Sequence, residues 1–224
     1  MTNIPSLPLL RVTRVLHVGT LCPSDRGRQF RESFEGRCLS VSRHPEAWRS
    51  IARLGDAPTW QLRRNDAMTG VFLDTRAAAA SPDHLATLAA WAVPAQLAEP
   101  KTLWRCWRQD LEDDSWVYSL HTSRDDAINE LEDPEAHGPD GRPCVEESQV
   151  LAGTEALSER VGVALGARDA TDFLFMAWVD DTRPDIDGLW WNDEYAPAAL
   201  SAPRGALLPS RLFRWSKAPM TASH

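Results

Sequence analysis

Two short apolar segments near the start of the chain, residues 15–20 and 39–42, constrain the fold more than any other feature of the sequence. Both are short runs of apolar and polar residues that suit strands with one buried face. Pro45 and the residues after it fit the first turn of a helix, because proline lacks the N–H that this turn leaves unused. The first sixty residues are therefore predicted to form two strands and a helix that packs on their sheet.

The whole chain is predicted to have an α+β fold with a mixed, mainly antiparallel sheet. Residues 1–100 form the first part of this core, and residues 166–224 return to it with strands that complete the sheet. Residues 101–165 are predicted to form an additional unit, inserted or adjoining, that consists of a tryptophan-rich hairpin, a helix, a strand and a helix. The strands predicted for the core lie at residues 11–20, 39–42, 59–62, 70–73, 173–179, 206–208 and 212–215.

One histidine, His17, stands in the first predicted strand, and Gly19 and Thr20 end that strand. A glycine at a strand end lets a ligand approach the backbone closely. A histidine beside it suits contacts to a ribose and a carboxamide. A single histidine on a strand is also often a core residue whose ring is hydrogen-bonded within the fold. Both roles stay open at the level of the sequence.

Three short motifs resemble those of the ADP-ribosyltransferase superfamily. They are Leu16-His17-Val18-Gly19-Thr20, Leu39-Ser40-Val41-Ser42 and Gly188-Leu189-Trp190-Trp191-Asn192-Asp193-Glu194. Members of the superfamily place a His or Arg on the first strand, a Ser-rich or Tyr-bearing second strand, and an acidic residue late in the chain. This chain departs from the histidine-type members, which have glycine directly after the histidine and use a tyrosine on the second strand.

The resemblance implies a core of the ADP-ribosyltransferase type and an enzyme that uses NAD as substrate to modify an acceptor, as a toxin or effector does. A carboxylate, Asp193 or Glu194, would stabilise positive charge on the ribose, and His17 would be the third catalytic residue. Either Trp48 or Trp190 would stack on the nicotinamide in place of the tyrosine. The full set of implied NAD contacts is His17, Gly19, Thr20, Ser40, Ser42, Trp48 and Trp190. Hydrolysis of NAD without transfer is left open.

A function of another class is also open, that of a protein-binding module without enzymatic activity. Its partner surface would be the tryptophan-rich middle unit, since the chain has 10 tryptophans, together with an acidic surface. In that function the motifs at the two ends are scaffold only. Glu146 and Glu147 of the middle unit are the carboxylates that compete with the late acid for a role in any NAD-consuming activity.

Composition excludes several other functions. With 24 basic and 32 acidic residues the net charge is -8, which disfavours broad nucleic-acid binding. The arginines between the two first strands are most simply a solvated loop. The four cysteines show neither zinc-ligand nor disulfide spacing, so no metal is predicted. No run reaches the ~18 apolar residues of a membrane span and no signal peptide is evident, so a cytoplasmic protein is predicted.

Overall fold

The computed structural model describes residues 6–21, 35–109, 116–131, 133, 137–165 and 169–220. The acidic tip of the predicted hairpin, residues 112–114, and most of the arginine-rich loop lie outside these residues. The described chain has an α+β fold with one large curled sheet, a smaller three-stranded sheet and helices packed against them. The large sheet is mixed and mostly antiparallel.

Its elements are short, and their bounds follow in chain order. The strands are β1 (Leu9–Val12), β2 (Val15–Val18), β3 (Leu39–Ser42), β4 (Thr59–Arg64), β5 (Gly70–Asp74), β6 (Ala98–Gln109), β7 (Trp116–His121), β8 (Val145–Gly153), β9 (Gly188–Trp191), β10 (Arg204–Leu207) and β11 (Trp215–Pro219). The helices are α1 (Pro45–Ile51), α2 (Thr75–Ala79), α3 (Pro82–Ala92), α4 (Arg124–Asn129), α5 (Glu155–Val161) and α6 (Thr171–Thr182).

The large sheet combines strands from both ends of the chain in the order β1-β5-β9-β10-β3-β2-β4-β11. Only β5 and β9 are parallel neighbours; the other pairs in this order are antiparallel. The small sheet has the order β7-β6-β8 and is antiparallel throughout. The hairpin and following strand predicted for the middle of the chain therefore form a sheet separate from the large one.

Alternating side chains of the large sheet fill two different cores. On the inner face of the curl, Val12 of β1 and Trp215 of β11 pack in the same cluster, although their strands are the two edges of the sheet. On the outer face, side chains such as Leu73 and Leu189 pack against α3, α5 and α6. Because neighbours along a strand project to opposite faces, each strand serves both cores.

The segment Phe173–Val179, predicted as a strand, lies instead inside helix α6. Its side chains from Leu174 to Val179 are all buried, because neighbouring elements surround the helix. A helix that is apolar on every side loses the 3.6-residue period, and a short continuous apolar run then fits a strand equally well. The prediction was wrong for this reason.

Other predictions for the core hold in part. The helix that begins after Ser81 is confirmed, and the Ser81 hydroxyl accepts the N–H of His84 as its cap. The single strand predicted for residues 11–20 is two strands, β1 and β2, which lie in different parts of the sheet. Residues 209–214 form a 3-10 helix, so the last strand begins only at Trp215.

Candidate functional site

His17 lies on β2, and its side chain points to the inner face of the large sheet. The register pairs Leu16 with Ser42, so His17 is on the face opposite to the Ser42 side chain. His17 is 5 % exposed, and its ring nitrogens face two backbone oxygens: Nδ1 is 2.7 Å from the carbonyl of Ser40 and Nε2 is 3.0 Å from that of Thr20. The ring therefore ties β2 to its neighbour β3 and to the turn that follows β2.

The backbone at Gly19 has a conformation that favours glycine, with φ at +120°. Its N–H donates to the carbonyl of Pro58 at 2.8 Å, and its carbonyl accepts the indole N–H of Trp60 at 2.9 Å. Both polar backbone groups of Gly19 are thus engaged within the fold. The neighbouring Thr20 carbonyl faces the His17 ring.

Substitution of His17 by alanine is expected to lower the free energy of unfolding by about 2–3 kcal/mol, because it removes a buried ring and leaves backbone carbonyls without a donor. Urea denaturation followed by circular dichroism measures this change. The exposed His137 supplies the control, since His137→Ala removes no buried contact. A His17→Ala protein of unchanged stability that has lost NAD affinity would instead make His17 a ligand contact.

Ser42, by contrast, lies at the end of β3 on the outer face. Its hydroxyl donates to the carbonyl of Pro203 at 2.8 Å and accepts the N–H of His44 at 2.9 Å, so it joins β3 to the residues before β10 and to the start of α1. Ser40 lies on the same face, two residues earlier, and is partly buried. The indole N–H of Trp48 on α1 donates to the same Pro203 carbonyl at 3.3 Å.

Arg204, the first residue of β10, is at the centre of a group of side chains that we call the Arg204 cluster: Glu35, Trp48, Asp172, Trp191 and Arg204. The guanidinium carbon of Arg204 lies 5.3 Å from the ring centroid of Trp48 and 5.4 Å from that of Trp191. Its Nε is 3.7 Å from Oε1 of Glu35. A guanidinium beside indole rings gains cation–π attraction, which strengthens where water is excluded.

Asp172, in the first turn of α6, extends this cluster. Its Oδ2 accepts the indole N–H of Trp191 at 2.9 Å. Burial raises the pKa of the Asp172 carboxyl above the ordinary 3.8; the indole hydrogen bond and the charges of Arg76 and Arg204 act in the opposite direction. Carboxyls whose pKa is raised by burial near charged partners are typical of functional sites.

Asp193 follows β9 and lies at the margin of the cluster. The Nε and Nη2 of Arg76, on α2, both lie 2.8 Å from its Oδ1. The Arg76 side chain is 56 % exposed and that of Asp193 19 %, so the pair borders solvent. Asp172 is also within electrostatic range of Arg76. A continuous chain of contacts thus leads from Ser42 and Trp48 through Arg204, Trp191 and Asp172 to Asp193.

The two remaining predicted residues lie apart from this chain of contacts. Trp190 is 1 % exposed and packs in the inner core, where its ring centroid is 5.8 Å from that of Phe72. Glu194 has an exposed side chain, and it is its backbone carbonyl that accepts the Ser201 hydroxyl. The structure therefore brings together Ser42, Trp48 and Asp193 of the predicted site, with Ser40 on the same face, and turns His17 and Trp190 to the other face.

Sequence reasoning missed Arg76, Asp172 and Arg204. Asp172 was hidden because the segment after it was predicted as a strand, which gave no reason to examine a helix start. Arg204 was assigned to a turn between Pro203 and Gly205. The one usable signal was the pair Trp190-Trp191 itself: two large rings in succession on a strand must serve two faces, and the buried indole N–H of each needs an acceptor.

A second candidate surface lies on the small sheet. Trp107 and Tyr118 are direct cross-strand neighbours with ring centroids 5.0 Å apart, and the Arg105 guanidinium lies over both rings. Glu146 accepts the Trp107 indole N–H at 3.0 Å. Tyr118 is 50 % exposed and Trp116, on the same face, 38 %. Cross-strand pairs of this kind stabilise a small sheet, and the exposed rings are also a contact surface.

Within the described residues, no group of three or more His, Cys, Asp or Glu side chains has the arrangement of a metal site. The same part of the chain contains no helix with the length and apolar character to cross a membrane. Comparisons with protein-family models, with curated proteins and with solved structures found no match for this chain.

Proposed function

We propose that this chain is an ADP-ribosyltransferase-like enzyme, with a core of that type, which uses NAD as substrate to modify an acceptor. The observation that carries the proposal is that Ser42, Trp48 and Asp193, three residues implied by the resemblance and far apart in sequence, lie along one chain of contacts. The groups around them suit a dinucleotide: guanidinium groups attract a pyrophosphate, an indole stacks on a base, and a carboxylate faces developing positive charge.

In this reaction the bond between ribose and nicotinamide breaks through a state with positive charge on the ribose, and the bonding electrons leave with the nicotinamide. The protein has to bind the anionic pyrophosphate and to stabilise that positive charge. Arg76 is the more exposed guanidinium and is placed for the first task. The Asp193 carboxylate, now held by Arg76, is placed for the second. His17 acts in this proposal by fixing β2 on β3.

Calorimetric titration with NAD tests the proposal directly. Substitution Trp48→Ala is expected to weaken NAD binding about 10-fold, because stacking of a base on an aromatic side chain contributes about 1–3 kcal/mol. Trp116→Ala is the matched control, since Trp116 is an exposed tryptophan of the small sheet. Transfer of label from radioactive NAD to proteins of a cell lysate then shows whether an acceptor is modified. An absence of binding by the unaltered protein contradicts the proposal.

A second function, that of a protein-binding module, is favoured by one observation: the half-exposed rings of Trp116 and Tyr118 on the small sheet. Exposed aromatic side chains are enriched at protein interfaces. The NAD titration separates the two functions. A module of this kind binds no NAD, and its partner binding responds to Tyr118→Ala and not to changes at Trp48 or Asp193.

A further inference from the structure

Asp172 is held in a way that its structural contacts do not explain. Its Oδ2 accepts one hydrogen bond, from the Trp191 indole, and the described residues give its Oδ1 no hydrogen-bond donor. The two nearby guanidinium groups make their closest carboxylate contacts elsewhere, Arg76 with Asp193 and Arg204 with Glu35. The carboxylate is therefore partly buried beside cations without a salt bridge of its own.

The charge of Asp172 lowers the stability of the fold. Burial raises the pKa of this carboxyl, so the folded protein holds its proton more tightly than the unfolded chain does. In that case stability falls as the pH rises through the range between the unfolded and the folded pKa. An asparagine would accept the same indole hydrogen bond without a charge. A residue that destabilises the fold where a neutral one would serve is typical of a functional site.

The groups that face Asp172 come from several elements. Trp191 of β9 donates the hydrogen bond, Arg76 of α2 and Arg204 of β10 contribute positive charge, and Asp169 before α6 contributes negative charge. Of these, Asp169 accepts the N–H of Thr171 at the start of α6. This arrangement leaves one carboxylate oxygen available beside the residues proposed to bind NAD.

We propose that Asp172 is the proton acceptor for the attacking group, and that this group is a hydroxyl. The inference rests on the proposed function and names its acceptor class. The hydroxyl oxygen forms a bond to the ribose carbon as the bond to nicotinamide breaks; the bonding electrons leave with the nicotinamide, and the hydroxyl proton passes to Oδ1 of Asp172. A carboxylate or phosphate acceptor carries no proton to transfer and has no need of this residue.

Hydrolysis of NAD, with water as the hydroxyl-bearing probe, tests this role. Substitution Asp172→Asn is expected to lower kcat about 10²-fold, the low end of what general base catalysis contributes, and to leave NAD affinity unchanged. In the unaltered enzyme kcat falls at acid pH as the carboxylate takes up a proton, and this limb is absent from the variant. The matched control is Asp83→Asn, because Asp83 is an exposed carboxylate in the first turn of α3.

The melting temperature gives a readout that is independent of activity. Asp172→Asn is expected to raise Tm at neutral pH by about 2–4 °C, the usual response of a chain of this size to a modest gain in stability. The gain shrinks as the pH falls towards 4, where the unaltered carboxyl is protonated. A variant with lower Tm and an unchanged kcat shows that Asp172 is a structural acceptor for Trp191 and overturns the inference.

The failure of this inference and that of the proposed function are distinguishable. If NAD binds and is hydrolysed equally by the unaltered protein and by Asp172→Asn, only the role of Asp172 is overturned. If the unaltered protein binds no NAD, the proposed function is overturned and this inference with it.

Discussion

Substitution of Arg64 by alanine is expected to lower the free energy of unfolding by about 3–5 kcal/mol, because it leaves a buried carboxylate without its partner. That carboxylate is Asp187, which is 0 % exposed. The Nη1 of Arg64 donates to both of its oxygens, at 3.1 and 3.0 Å, and the N–H of Val71 donates to Oδ2 at 3.0 Å. Arg214 is farther away, at 3.6 Å.

Urea denaturation followed by tryptophan fluorescence measures this loss. Arg63→Ala is the control, since Arg63 is the preceding residue of β4, is exposed, and is expected to change stability by less than about 0.5 kcal/mol. The effect of Arg64→Ala is large because Asp187 precedes β9 and its pairing fixes the entry of that strand into the sheet. Equal stabilities of the two variants would show that Arg214 compensates for the missing guanidinium.

Substitution of Asp193 by asparagine is expected to lower the turnover of NAD about 10³-fold while NAD affinity holds. Asparagine keeps the size and the hydrogen-bonding capacity of the side chain and removes only the charge, which acts on the positive charge of the transition state. The structure places this carboxylate in contact with Arg76, at the border of the Arg204 cluster. Single-turnover measurement of nicotinamide release gives the rate.

Two carboxylates serve as controls for Asp193. Glu194→Gln alters the next residue, whose side chain is exposed, and Glu147→Gln alters an exposed carboxylate of the small sheet. Neither change is expected to affect turnover. Normal turnover by Asp193→Asn together with a slow Glu194→Gln enzyme would assign the charge-stabilising role to Glu194 instead.

Local signals in the sequence were sufficient for much of the fold. Pro45 predicts the start of α1, and Ser81 followed by Pro82 predicts the start of α3, because capping and proline effects act within one turn of the chain. The middle hairpin follows likewise from two runs of strand-forming residues separated by an acidic turn. Each of these elements forms where expected. The helix α6 was missed since burial on all sides removes the period on which a local prediction depends.

The candidate site depended on pairings that no local signal contains. Asp193 was identified from its place late in the chain, but its contact with Arg76 joins residues 117 positions apart. Arg204 meets Trp48 and Trp191 only because β10 lies between β3 and β9. The order of strands in a sheet is decided by long-range packing, and the sequence carries no period that reveals it.

The sequence by itself determined which residues form strands and helices near each chain end, and it identified the residue types that an NAD site requires. The tertiary structure decided which of them face one another. The pairing of Leu16 with Ser42 turns His17 to the inner core and the Ser42 side chain to the outer face. Because side chains alternate along a strand, a register shifted by one residue would have placed them on the same face, and only the packing of both cores fixes that register.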